Sequence, residues 1–397
     1  MNSFKNMFFK HTVLTIYLVV FVFLCLGVFI TSGLIYFSML FYFISSLVLF
    51  YFIGNKLSSK INQINTNLFA FFANSKLLIT IIILLFVGHL VSINGLPAFE
   101  CFDITHLSKA VELRKGITTR AHPIWNYISS INIKALIPFA IVLFWHKEQK
   151  LYYWIVIFVG CLYAFTLMQK SHILAIFIPM IIVCVYEKKW LQLIQYSIPI
   201  IVVIGTLVYV TNPQIRGGID DLSKNKNNKT TEIKKENIVV VVVKSLSKRV
   251  FITPGEMVSE WFRCIPTKKP FLKGNGYSFI SKIKNEEFHD YALELYPLIR
   301  PKMAERNIQG RVNVASFMRE YSNFGVLGLI FSAFITAAFF LFIEFVYKGS
   351  DIKIKLALNL FLVFLLSSGS LSTLLLSGGW FFLILLYVLF KKQLDAC

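Results

Sequence analysis

The residues in this chain best suited to chemistry are its arginines. Arg114, Arg120, Arg216, Arg249, Arg263, Arg300, Arg306, Arg311 and Arg319 stand in two polar stretches between long apolar runs. A guanidinium is planar, stays charged, and binds phosphate through two parallel N–H groups. One such arginine is ordinarily a solvated surface charge. Taken as a set beside apolar runs, they suit recognition of an anionic ligand. Lys134 falls inside an apolar run, where an ionisable group is expensive and by default functional, although its long stem also permits snorkelling. Lys170 occupies the tight Gln-Lys-Ser turn between two runs.

For proton transfer the same stretches offer His122, His289, Asp290, Glu256, Glu260 and Glu320. Glu320 stands where the longer polar block gives way to apolar sequence. A carboxylate there loses water and is suited to accept a proton from a hydroxyl; the plainer alternative is a surface carboxylate paired with an arginine. His89, in an apolar run, reads as a polar helix–helix contact. No Walker A or G-x-G-x-x-G pattern occurs, and the polar stretches hold no D-x-D, H-E-x-x-H, paired-His spacing or G-x-S-x-G. The expectation is therefore no cofactor and no metal: Arg and Lys would neutralise any departing phosphate.

The elements that must position these side chains follow from composition. Of 397 residues 56% are hydrophobic and only 15% charged, with mean hydropathy +0.68. That is too few charges to solvate a soluble domain of this size. Ten apolar runs approach the spanning length of about 20 residues: His11–Thr31, Leu34–Ile53, Leu77–Leu96, Asn126–Trp145, Leu151–Met168, His172–Tyr186, Leu191–Val210, Phe324–Val346, Ile354–Ser368 and Leu371–Phe390. The first follows a basic start, but it exceeds a signal-peptide core of about 7–15 residues and no A-x-A site follows, so it reads as an uncleaved span. Asn62–Asn74 is too short to cross and reads as interfacial.

The short connections sort by charge. Lys5, Lys10, Lys56, Lys60, Lys76, Lys147, Lys150, Lys188, Lys189, Lys348, Lys353, Lys355, Lys391 and Lys392 fall on one side. The opposite turns carry a single lysine. The positive-inside rule puts the first set and both termini in the cytoplasm and the long polar block outside. The division is then 1–210 (seven spans, with an exterior loop at 97–125), 211–323 (a large basic exterior loop) and 324–397 (three spans and a cytoplasmic tail). The 211–323 block holds 20 Lys/Arg against 12 Asp/Glu. Within it, 217–236 is polar and turn-rich, Ile238–Trp261 begins as an amphipathic segment, Cys264–Gly276 is a Lys/Pro/Gly loop, and Ser281–Leu298 and Val312–Asn323 read as helices. Net charge +20 suits anionic headgroups, and no nucleic-acid motif accompanies it. Cys101 and Cys264 fall outside, as a disulfide or as free thiols.

The re-entry F-M-R-E-Y-S-N-F-G-V-L-G (Phe317–Gly328), the stretch Lys248–Arg249-Val-Phe-Ile-Thr-Pro, the stretch Lys-Lys-Pro-Phe-Leu-Lys-Gly (Lys268–Gly274) and the R-x10-G spacing of Arg263 and Gly274 resemble the Wzy-type polysaccharide polymerases of bacterial envelopes. The resemblance implies an all-α integral membrane glycosyltransferase of GT-C-like type, with about ten transmembrane helices and a large, partly helical periplasmic loop. It implies transfer of a growing chain from undecaprenyl pyrophosphate onto a new lipid-linked repeat unit at the inner membrane. Membrane lipids and a chain-length regulator are the other partners, and nucleic acid is not. On that resemblance Glu320, with His122 in reserve, is the base. Arg249, Arg263 and Arg311, helped by Arg120, Lys134 and Lys170, hold the pyrophosphate. An O-antigen ligase and a lipid-linked oligosaccharide flippase share much of this layout and remain alternatives. A phosphatase reporter fused at Lys268 is expected to be active outside the membrane, and one fused at Lys189 silent; a cytosolic Lys268 would overturn the topology.

Overall fold

A computed structural model describes residues 10–58, 73–211, 213, 247–305 and 310–395. All regular structure in these residues is helical. Six helices are long and apolar enough to cross a bilayer: Thr12–Ser32, Phe37–Leu57, Ser75–Ile93, Pro123–His146, Trp190–Thr211 and Val326–Val346. Much of their apolar surface is exposed, with Leu84 at 64%, Ile201 at 69% and Leu327 at 74%. Such surface is stable only against hydrocarbon, so the chain is a helical membrane protein. Lys150–Thr166 and Lys170–Tyr186 have 17 residues each, about 25 Å of helix, the lower limit for a span.

The last expected span differs. Leu371–Phe390 is broken into Leu371–Leu375 and Trp380–Asp395. Gly379 adopts φ +77, and a Cβ on Gly378 would lie 2.4 Å from the Leu374 carbonyl oxygen, so the Ser-Gly-Gly sequence makes a turn no bulkier residue could follow. The polar block also departs from expectation. Ser281–Leu298 is no single helix but short turns at Ser278–Lys284, Tyr291–Glu294 and Tyr296–Ile299. Pro297 opens the last of these instead of ending a helix. Of Val312–Asn323 only the end is helical, as Met318–Phe324. The expected amphipathic start at 238–246, the 217–236 stretch and nearly all of the 62–74 segment lie outside the described residues.

Two compact units interleave along the chain. The first comprises Met1–Gln63, Thr230–Phe345 and Val363–Thr373; the second comprises Ile64–Lys229, Val346–Leu362 and Leu374–Cys397. They cut across the span-and-loop division. In the first unit the Thr12–Ser32 helix packs on Thr253–Cys264 at backbone distance. A Cβ on Gly255 would sit 2.4 Å from the Val28 nitrogen, and one on Gly27 2.7 Å from the Ile252 oxygen. Small residues permit this approach, the usual route to tight helix crossings in lipid. Phe21, Phe43 and Phe317 fill the centre, with Phe43 and Phe317 ring centroids 4.3 Å apart. Glu344 accepts a hydrogen bond from the Val13 N–H at 2.8 Å, satisfying a helix-start donor.

In the second unit Pro123–Ile131 runs through a π turn, Asn132–Leu136, into Ile137–His146. Pro138 explains the turn: it has no N–H for the Lys134 carbonyl, and Ile137 N–H instead reaches back five residues to Asn132. Asn132 Nδ2 donates to the Ile82 carbonyl at 3.1 Å, and Trp380 Nε1 donates to Asn359 Oδ1 at 2.9 Å. His89 corrects its expectation: it is fully buried beside Tyr163, and neither ring nitrogen has a hydrogen-bond partner among the described residues. Neither Cys101 nor Cys264 is in a disulfide, and Cys101 Sγ donates to the Val210 carbonyl.

The glycine crossing gives a direct test. Gly255→Ala should lower unfolding stability by about 1–3 kcal/mol through overpacking. Gly205→Ala, with nothing within 4 Å of the added carbon, should be neutral or slightly stabilising. Thermal unfolding in detergent reads both; an equal response at the two positions would remove the packing argument.

Candidate functional site

In the first unit the short helix Met318–Phe324 accepts hydrogen bonds from three backbone N–H groups of the 272–276 loop. Leu272 N–H donates to the Ser322 carbonyl at 2.9 Å and Lys273 N–H to the Asn323 carbonyl at 2.9 Å. Asn323, 1% exposed, accepts from Gly276 N–H at 3.0 Å and donates to the Arg319 carbonyl at 2.8 Å. Gly276 is required here, since a Cβ would lie 2.6 Å from the Asn323 amide nitrogen. Gly325, at φ +61, then turns the chain into the Val326–Val346 helix. A Cβ on Gly328 would meet the Glu320 carbonyl oxygen at 2.0 Å. The F-G-V-L-G segment is thus a backbone-on-backbone corner that fixes Arg319 and Glu320.

Beside this corner lies a cavity of about 470 Å³. Arg311 and Arg319 line it with the amides of Asn313 and Asn323 and the hydroxyls of Ser322, Ser368, Ser370 and Thr373; Trp261, Phe288 and Tyr291 give it aromatic walls. Trp261 is 3% exposed and its Nε1 has no partner among the described residues. Rings for stacking, an unsatisfied N–H and a row of hydroxyls and amides suit a polyhydroxylated ligand, and the guanidinium groups suit a phosphate.

The two cavity arginines differ. Arg311 pairs with Asp290, which also caps the Tyr291–Glu294 turn. Arg319 has no carboxylate at ion-pairing distance among the described residues. Its guanidinium donates to Ser372 Oγ at 2.7 Å and to the Gly276 carbonyl at 3.1 Å, and it lies 4.7 Å from the Tyr277 ring centre. Glu320, the next residue, accepts a hydrogen bond from the Tyr277 hydroxyl at 3.2 Å. Burial pushes its carboxyl above the usual carboxylate range, against the opposing pull of Arg319 and Tyr277. The same burial raises the Tyr277 phenol, with the Glu320 charge adding to it.

The other expected residues fall differently. Arg263 is outside the cavity, bonded to Glu260 one turn earlier on its helix; Arg300 is paired with Glu256 at 2.9 Å. Arg249 lies in a π turn, Lys248–Ile252, ahead of Pro254, as Lys134 lies in one ahead of Pro138. Such turns are frequent at functional sites. Arg120, His122, Lys134 and Lys170 all belong to the second unit. Arg120 makes a two-point pair with Glu100 at 2.8 and 2.9 Å, which holds the Glu100 carboxyl below its usual range. His122 caps the helix beginning at Pro123, its Nδ1 accepting from Ile124 N–H at 3.4 Å. Lys134 is half-buried, with no ion pair among the described residues. Lys170 begins the Lys170–Tyr186 helix.

Sequence reasoning passed over Arg319 as a site cation, and Asn323, Tyr277 and Trp261 altogether. It divided the hydroxyl run Ser367–Thr373 between the ends of two spans, although so many hydroxyls between two apolar segments are a legible sign of a polar lining. No protein-family model, no curated protein and no solved structure matches this chain.

The raised carboxyl of Glu320 has a consequence for stability. Its folded value lies above the unfolded value of about 4.3. The ionised side chain therefore weakens the fold progressively as pH rises from about 4.3 through the folded value, and the penalty is complete above it. Glu320→Gln should melt higher than the parent at neutral pH, and the difference should shrink toward pH 4. A pH series of melting curves with a constant difference would refute the buried-carboxyl assignment.

Proposed function

We propose that the cavity beside Met318–Phe324 is the active site of a membrane-embedded glycosyltransferase. It would extend a polysaccharide by moving a growing chain from undecaprenyl pyrophosphate onto a sugar hydroxyl of a second lipid-linked repeat unit. The observation that carries the proposal is the pairing of opposites on one short helix: Arg319, a cation without a carboxylate partner among the described residues, faces a hydroxyl- and amide-lined cavity, and Glu320, the next residue, is a carboxyl raised by burial. The first unit, which carries both, also contains three of the helices long enough to span. Prenyl tails would have apolar surface to occupy there.

In this proposal the acceptor hydroxyl oxygen attacks the anomeric carbon of the donor chain. A new C–O bond forms as the bond from that carbon to the pyrophosphate oxygen breaks. The acceptor proton passes to Glu320 through the Tyr277 hydroxyl that is hydrogen-bonded to it. The departing pyrophosphate takes the electron pair, and its growing charge is met by Arg319, with Arg311 released in part from Asp290. Trp261, Phe288 and Tyr291 would stack on sugar rings, and the Ser368–Thr373 hydroxyls would fix their orientation.

Glu320→Gln and Arg319→Ala should each reduce long-chain polysaccharide by about 100-fold or more. Arg263→Ala, outside the cavity, should leave the chain-length ladder near normal. Ladders from purified protein supplied with lipid-linked repeat units check this, with protein levels matched. Full ladders from both site variants would overturn the assignment. Gene deletion separates the related reaction: a polymerase leaves a core carrying one repeat unit, whereas a ligase leaves a bare core.

A further inference from the structure

The second unit holds a larger cavity, about 790 Å³, on which the sequence-level argument for function never drew. It lies where three short lysine-bearing connections meet: the 147–149 turn after Ile137–His146, the 187–189 turn after Lys170–Tyr186, and the residues around Lys353. All three belong to the set that charge bias assigns to one side of the membrane. Their meeting at one cavity is a tertiary fact.

Four lysines line this cavity, Lys147, Lys150, Lys189 and Lys353, against two carboxylates, Glu148 and Glu187. Glu187 is shared, 3.0 Å from Lys353 and 2.6 Å from Lys189. Lys147 donates to Gln393 at 3.0 Å. Lys150 has no ion pair among the described residues, and the lining keeps two positive charges in excess. Behind the cations stands a nest of rings. Trp145, Tyr153, Trp154 and Tyr196 have neighbouring centroids 5.5 to 5.9 Å apart, and Lys189 lies 5.1 Å from the Trp145 ring centre. Tyr153 is 3% exposed at the centre of this nest.

We propose that this cavity binds the phosphate of an anionic phospholipid headgroup. The excess charge selects an anion over a zwitterion. Lys150, with no ion pair among the described residues, supplies a cation for a phosphate oxygen. The first turns of the two helices that leave the cavity choose a lipid over a soluble phosphate. Leu151 and Leu191 there are 71% and 79% exposed, next to the exposed rings of Trp154 and Trp190. This is the aromatic and aliphatic rim of a membrane interface, where acyl chains can run down from a bound headgroup. The proposal stands on the second unit alone and is independent of the reaction assigned to the first.

The test uses full-length protein in nanodiscs, with phosphatidylglycerol or phosphatidylcholine as the probe. Brominated acyl chains report contact by quenching tryptophan fluorescence, and native mass spectrometry counts retained lipids. Phosphatidylglycerol should be preferred, and Lys150→Gln should reduce that preference by roughly five-fold, the effect of one lysine at a lipid surface. Lys150→Gln with Lys189→Gln should remove it. Lys150 has no ion pair to lose, so the single variant keeps the test valid if the double variant fails to accumulate. Equal binding of the two lipids would overturn the proposal, as would a preference intact in Lys150→Gln. Displacement of phosphatidylglycerol by inorganic phosphate at millimolar concentration would also overturn it, by showing a soluble phosphoryl ligand instead.

Discussion

The buried amide of Asn323 is the interaction on which the candidate site depends. An amide in a low-dielectric interior is unfavourable unless its oxygen and nitrogen are both bonded. Here the oxygen takes the Gly276 N–H and the nitrogen takes the Arg319 carbonyl. Two further backbone bonds, from Leu272 and Lys273, close the same seam. The seam welds a polar loop to the helix that carries the cation and the carboxyl. It also explains the glycines: Gly276, Gly325 and Gly328 are the places where a side chain would force loop, helix and span apart.

With the seam in place, charge is distributed unevenly. Arg263, Arg300 and Arg311 each spend their charge on a nearby carboxylate. Among the described residues Arg319 is held by neutral groups, a hydroxyl, a carbonyl and a ring face, and so keeps its charge to offer a ligand. Glu320 is in the opposite condition, a carboxyl short of water whose protonated form is favoured. One helical step separates the two, and the Tyr277 ring and hydroxyl contact both. A cation ready for an anion and a carboxyl ready for a proton come from the same local constraint.

The second unit shows the same economy with different means. Pro138 withdraws one backbone donor, and the π turn that results carries Lys134; in the first unit Pro254 likewise follows the π turn that carries Arg249. In each case a missing N–H lets the helix absorb an extra residue without ending the helix. In the second unit, lysines from three connections converge over a nest of aromatic rings, and the four that line the cavity outnumber its two carboxylates, Glu148 and Glu187.

The helical membrane class was legible in the sequence because hydrophobicity is additive over a run of residues: twenty apolar side chains in a row have one comfortable environment whatever surrounds them. The ends of the six helices long enough to cross lie within a few residues of the apolar runs for the same reason. The break at Ser377–Gly379 was written in the two glycines, but hydropathy averaged over it. Arg311 and Glu320 were marked by type and place. Whether a guanidinium faces a ligand or a carboxylate is a different kind of fact, set by partners tens of residues away. Glu260 removes Arg263 from contention within its own helix, whereas Arg319 is left available because Ser372, 53 residues on, brings a hydroxyl and no acid. Composition fixed the solvent this chain lives in; only the tertiary packing decided which of its many charges stayed uncompensated, because compensation is a matter of distance in space and not along the chain.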